Sequence, residues 1–283
     1  MKKIVCKDHT VSREKFELIF DSSLDLYYTH PQPSKQSLPH YYKSETYISH
    51  TDANKSLFDK IYQEVKKYAI GKKVALLESF EGNGKKILDV GCGTGDFLKV
   101  ASERNWEISG VEPNKQARKL ALKKLSGSKS IVSDLGDLIN TSQSEQYDVI
   151  TLWHVLEHVP NYDNYIDKLK SLLKKDGHLL IAVPNYKSYD ARHYKEFWAA
   201  FDVPRHLWHF SQNAIHNIFE KHQMQVNKII PMYFDSYYVS LLSEKFKTGK
   251  SNIFKAFWIG MLSNWKAKKS SEYSSLIYIL RKV

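Results

Sequence analysis

From Lys86 to Val183 short apolar runs alternate with stretches whose apolar residues recur at the helical period. Ile87, Leu88 and Val90 make a run suited to a strand buried on both faces. Phe97, Leu98, Val100 and Ala101 then begin a helical pattern. Repetition of this unit predicts strands at about 86–90, 107–112, 129–133, 147–153 and 178–183. Helices fall at about 95–105, 114–125 and 161–175, with Asp176-Gly177 as a glycine stop. Such alternation is the mark of an α/β fold with a doubly wound, mostly parallel sheet.

The flanks extend this pattern. Ser211 caps a helix to about Met224, Val226 to Phe234 reads as a sixth strand, and residues 235–265 read as helical. Ser275 to Leu280 is a seventh strand, at the edge or between neighbours. Ahead of the alternation, short strands are expected at 2–7, 16–20 and 24–28, followed by a proline-rich extended segment. Thr51 or Asp52 caps a helix over 53–70, broken at Gly71, with a second piece to Phe80. This divides the chain into an accessory segment, 1–50, and a main domain, 51–283, with insertions at about 186–210 and 235–270.

Composition narrows the picture. The 283 residues carry 42% hydrophobic side chains, enough for a real core, and a formal charge of +11. That excess suggests an anionic partner or merely solubility. The stretch Ser243–Lys269 holds seven lysines and several aromatics against Glu244 alone. It reads as a core or dimer face, or as a basic amphipathic helix on a membrane surface. A nucleic-acid partner is not expected. With only Cys6 and Cys92 there is no disulfide framework, so a reducing, cytoplasmic setting is expected. The first residues lack the long apolar region of a signal peptide.

The chemistry centres on Leu88-Asp89-Val90-Gly91-Cys92-Gly93-Thr94-Gly95. Glycines at 91, 93 and 95 permit positive φ and close approach of a ligand to the backbone. Asp89 would repel a pyrophosphate but could hold an ammonium group. Asp96 stands where a dinucleotide fingerprint wants its third glycine. Glu112, 21 residues beyond Gly91, follows the second strand at about the offset that grips a ribose diol. An amino group, a small carboxylate and a ribose describe S-adenosylmethionine better than a nicotinamide dinucleotide.

The segment from Leu88 to Gly95 resembles motif I of the class I S-adenosylmethionine-dependent methyltransferases. Glu112-Pro113-Asn114 resembles their acid after the second strand, and Asp134-Leu135 their adenine-side pair. Trp153-His154-Val155-Leu156-Glu157-His158-Val159 resembles the fourth-strand segment of the ubiquinone-biosynthesis-type O-methyltransferases. The resemblance covers roughly residues 50–235. It implies a Rossmann-like methyltransferase fold, and a cofactor site of Asp89, Gly91, Cys92, Gly93, Gly95, Phe97, Glu112, Pro113, Asp134, Leu135 and Trp153. The backbone N–H groups of Gly91 to Gly95 should face the methionine moiety, with Cys92 a small packing residue.

In that branch the fourth-strand segment reads E-x-x-E-H and can hold a divalent metal. Here it reads His154-x-x-Glu157-His158, whose side chains share one face of a helical turn, and His206 could join them. No metal is assigned, although a divalent ion at His154, Glu157 and His158 stays open. The catalytic candidates are His154, His158 and His206, with an imidazole as general base for a hydroxyl. Relatives carry paired cysteines in the accessory segment, as in a zinc ribbon. Cys6 stands alone, so a hairpin without zinc is expected. A tyrosine-rich stretch ending at His50 could form a lid over the cofactor, or be ordinary packing. The implied activity is methyl transfer to a small-molecule or lipid-like acceptor, by a monomer or homodimer. A non-catalytic cofactor-binding or scaffold protein, or a nicotinamide oxidoreductase, is the alternative.

Overall fold

The computed structural model describes residues 3–34, 36–42, 57–80, 84–125, 131–141 and 146–283. Its strands are β1 (Lys3–Lys7), β2 (Lys15–Asp21), β3 (Leu26–His30), β4 (Lys86–Val90), β5 (Glu107–Val111) and β6 (Ile131–Val132). Then come β7 (Tyr147–Trp153), β8 (Leu173–Pro184), β9 (Trp208–His209), β10 (Met224–Pro231) and β11 (Ser275–Lys282). The helices are α1 (Leu57–Glu78), α2 (Asp96–Ser102), α3 (Lys115–Lys124), α4 (Leu135–Thr141) and α5 (Tyr162–Leu172). They continue as α6 (Tyr189–Tyr194), α7 (Gln212–Lys221), α8 (Asp235–Thr248) and α9 (Ile253–Ser270).

Seven strands form one sheet in the order β10-β11-β8-β7-β4-β5-β6, the doubly wound architecture the alternation implied. The seventh strand of the sequence reading therefore lies between neighbours. β4 pairs in parallel with β5 on one side and β7 on the other. Ile87, Leu88, Val149, Ile150 and Leu152 are fully buried, as strands covered on both faces require. A second sheet, β1-β2-β3-β9, is antiparallel. The chain divides into two compact units, one of Met1–Ser44, His154–Tyr162 and Ile181–Tyr278, the other of Glu45–Trp153, Asp163–Leu180 and Ile279–Val283.

In the first unit Asp8 builds the β1–β2 turn by accepting from the backbone of Thr10, Val11 and Ser12 and from both hydroxyls. Cys6, Phe16, Leu18 and Tyr27 of the hairpin share a core with Trp198, Phe201 and Ile259. Asp190 on α6 is fully buried and accepts from Trp198 Nε1, Ser263 Oγ and Ser274 Oγ at 2.6–2.7 Å.

Several expected boundaries are corrected. Gly71 does not break its helix: α1 runs unbroken through it. A Cβ there would meet nothing within 4 Å, so the glycine is simply tolerated. Asp176-Gly177 is not a helix stop. α5 ends at Leu172 and both residues lie inside β8, where a Gly177 Cβ would meet the Leu173 side chain at 2.8 Å. Residues 235–265 are two helices, because Gly249 takes φ 75° and caps α8. The aperiodic stretch 186–210 contains α6, two 3-10 turns and β9. The cap at Thr51 or Asp52 and the lid at His50 fall outside the described residues.

Candidate active site

The glycine corner lies within the second unit. Gly91, Gly93 and Gly95 have φ of 72°, 54° and 79°, which only glycine adopts without strain. A Cβ on Gly93 would meet nothing within 4 Å, so open space stands above it, whereas Gly95 is pressed against Ala121. The loop N–H groups do not all face outward, contrary to expectation. Gly91 and Cys92 donate to Val111 O, Gly93 donates to Glu112 Oε2 at 2.8 Å, and Gly95 donates to Cys92 O. These bonds shape the corner from inside. Cys92 is buried, and a Cβ on Gly110 would meet its Sγ at 2.9 Å, so strand glycine and thiol fit each other.

Two carboxylates are buried at this corner. Asp89 is 2% exposed and accepts the Thr151 hydroxyl at 2.7 Å. Burial raises its carboxyl to about 7, against the opposing Thr151 hydrogen bond and the Lys73 charge, while Glu112 adds to the rise. Glu112 accepts the Asn114 N–H through Oε1 as well as Gly93 through Oε2. Burial raises it too, opposed by those two bonds and by Arg118. A buried site with two carboxylates favours a cationic guest.

Around them, Phe97 meets Trp153 edge to face at 5.6 Å, and Lys73 lies 4.2 Å from the Trp153 ring centre. Trp153 Nε1 is buried without a hydrogen-bond partner. Asp96 is held by Lys66 and Lys124. Pro113 is exposed. Asp134 accepts the Gly136 N–H at 2.7 Å at the start of α4, and Leu135 is buried. Thr151 and Lys73 were not singled out from the sequence. A hydroxyl set between Ile150 and Leu152 was the available signal for Thr151; Lys73 had none.

The histidines belong to the first unit and do not all converge. His154 sits at φ 57°, a strained region for a β-carbon residue. Its Nδ1 is 3.3 Å from Glu157 Oε1 and its Nε2 is 3.1 Å from Asp235 Oδ2. Burial disfavours its charge, but hydrogen bonds and charge from Asp235 and Glu157 prevail and raise it to about 9. His154 is therefore a cation at neutral pH. Asp235 lies 81 positions further along the chain and had no local signal.

Glu157, His158 and His206 form the close group, with one ligand-type atom of each within 4.8 Å of the others. His158 Nδ1 lies 2.9 Å from Arg205 O and 3.0 Å from Tyr42 Oη. A carbonyl can only accept, so Nδ1 carries the proton and Nε2 keeps the lone pair. Burial and the His206 charge push His158 down to about 4, so it is neutral. His206 Nδ1 donates to Ala200 O at 2.9 Å, which in the neutral ring also frees Nε2. Both Glu157 oxygens are buried without a well-aligned hydrogen bond, although burial is outweighed by His154, His206 and His158 and its carboxyl is lowered. Arg205, paired with Asp202 and Asp8, fixes the loop that carries His206.

The family model described as a methyltransferase domain matches residues 62–229, more than half of the chain. The ubiquinone biosynthesis O-methyltransferase of Vibrio atlanticus is 35% identical over 124 residues, 40% of this chain and 51% of that protein. Its namesake from Actinobacillus pleuropneumoniae is 34% identical over 109 residues, 36% of this chain and 47% of that protein. The chain thus spans about half the length of the curated relatives it matches. Magnesium protoporphyrin IX methyltransferase from Synechocystis PCC 6803, solved with bound SAH, shares the fold: TM-score 0.57 at 16% identity, over 88% of this chain and 100% of that one. With its parallel sheet, glycine corner and paired carboxylates, the chain belongs to the methyltransferase-domain family, of the class I, S-adenosylmethionine-dependent kind.

Proposed function

We propose that the protein transfers the methyl group of S-adenosylmethionine to a hydroxyl of a small-molecule or lipid-like acceptor. The observation that carries the hydroxyl is His158, a neutral imidazole whose Nδ1 proton is committed to Arg205 O. Its Nε2 is free to take a proton, and a sulfonium donor needs no acid for its leaving group. The relatives named for O-methyl transfer support the same choice. Asp89 holds the cofactor ammonium, Glu112 the ribose hydroxyls, and Asp134 with Leu135 the adenine side. Aligning the methyl with the acceptor is worth about 7–11 kcal/mol of barrier. His206 acts beside His158, and His154, held charged by Asp235, orients the turn that carries Glu157. The accessory segment 1–50 helps cover the acceptor, in a cytoplasmic setting that keeps Cys6 and Cys92 as free thiols.

A second reading is favoured by Glu157, a buried carboxylate whose Oε2 has no hydrogen-bond partner. Glu157, His158 and His206 fit a divalent ion, with a donor set suited to zinc, iron or manganese rather than magnesium. When bound, such an ion would supply Lewis acidity to the acceptor hydroxyl. The protein's own part would be to hold both Nδ1 protons on backbone carbonyls, so that both Nε2 atoms stay available.

The test is turnover. Purified protein is incubated with methyl-labelled S-adenosylmethionine and a metabolite extract, and products are read by mass spectrometry. The reading requires a labelled methyl ether together with S-adenosylhomocysteine. Label on nitrogen or carbon overturns the hydroxyl assignment, and cofactor binding without turnover on any acceptor sinks the enzyme reading.

A further inference from the structure

Helix α9 has two opposite faces. Ala256, Gly260, Ser263 and Ala267 recur at spacings of four, three and four and are all buried. The small residues let α8 approach closely: a Cβ on Gly260 would meet Tyr237 backbone at 2.9 Å. Phe254, Trp258, Met261 and Trp265 recur at the same spacings, on the side turned away from α8. Phe254 is 90% exposed, Trp258 56% and Trp265 65%. Single exposed apolar residues need no explanation, but an aromatic stripe along an 18-residue helix does.

Charge identifies what suits the stripe. From Lys245 to Ser271 the chain has seven lysines and no acidic residue. Lys268 and Lys269 lie at the stripe's C-terminal end, while Lys255 pairs with Glu244 and Lys266 sits over the Tyr189 ring. A second copy would set like charges against each other with no carboxylate on α9 to offset them. A nucleic acid prefers a cationic groove lined with aromatic platforms; here the centre of the face is an apolar ridge. No helix of the described residues is long and apolar enough to cross a membrane. An amphipathic helix of tryptophan and phenylalanine edged by lysines instead lies in the plane of an anionic lipid surface.

We propose that α9 docks the protein on an anionic bilayer, with Phe254, Trp258 and Trp265 in the interface and Lys268 and Lys269 on lipid phosphates. This holds whatever the methyl acceptor is. Full-length protein is floated with vesicles of phosphatidylcholine alone or mixed with phosphatidylglycerol. The mixed vesicles should capture it at least about tenfold better, and high salt should release it. Phe254→Ser/Trp258→Ser/Trp265→Ser and, separately, Lys268→Gln/Lys269→Gln should abolish capture while keeping the melting temperature. Absence of capture by the mixed vesicles overturns the proposal, as does capture of either variant equal to that of the unsubstituted protein. Light scattering that shows a dimer lost only in the serine variant, or oligonucleotide binding in place of vesicle binding, overturns it too.

Discussion

Thr151 donates its hydroxyl to Asp89 Oδ1 at 2.7 Å, across the parallel pair β4–β7 in which the two residues are register partners. The bond favours the ionised carboxylate, but burial prevails and leaves the group half-protonated near pH 7.

Binding the cofactor cation at Asp89 should therefore expel a proton below about pH 7. Titration calorimetry at pH 6 in buffers of different ionisation enthalpy should show release approaching one proton, and none at pH 8.5. Asp89→Asn should remove the linkage and weaken binding about 10–100-fold. The sign for the free protein follows from the raised carboxyl: its contribution to stability is fully present below about pH 4. It is lost as pH rises through about 7.

Glu112, proposed above to hold the ribose, also braces Gly93 and Asn114. Glu112→Ala should cost about 1–3 kcal/mol of stability, since two partly buried N–H groups lose their acceptor. Glu112→Gln should regain much of that stability while leaving cofactor binding impaired. Chemical denaturation and calorimetry separate the two effects.

His158, near 4, should remain a competent base across neutral pH, so the limb of kcat/KM that reports it should fall only toward pH 4. His158→Ala should lower kcat about 10²–10⁴-fold. His154 behaves oppositely. Its charge pair with Asp235 stabilises the fold fully below about pH 6.5 and is lost as pH rises through about 9. Asp235→Asn should lower the melting temperature at pH 7 and leave it unchanged at pH 10.

If Glu157, His158 and His206 hold an ion, dialysed protein should bind zinc or manganese at one per chain by plasma mass spectrometry. Glu157→Gln should abolish that binding. Equal binding by the variant places the ion elsewhere.

Gly260→Leu should cost about 1–3 kcal/mol by overpacking the α8–α9 contact, read as a lower midpoint in urea.

The parallel sheet and the glycine corner were legible because they are written in local patterns: apolar runs of strand length and a glycine every second position. What escaped depends on distant partners. Nothing around Trp208 or His209 announces that they pair with Tyr28 and Tyr27. Nothing near His154 announces Asp235, which takes that ring out of the expected triad and leaves His206 in its place. The outward-facing N–H groups failed for a similar reason, since Val111 and Glu112 on the next strand compete for them. Gly71 and Gly249 show the same ambiguity in miniature: only the second takes a left-handed conformation.

β11 lies between β8 and β10, yet it follows both of them in sequence. Until Ser275–Lys282 has emerged from the ribosome, the hydrogen-bonding edge of β8 has no occupant from its own sheet. Closing that slot joins segments about 90 residues apart, an entropically slow step. During synthesis the nascent protein should thus expose a long sticky margin, a target for chaperones until β11 is added.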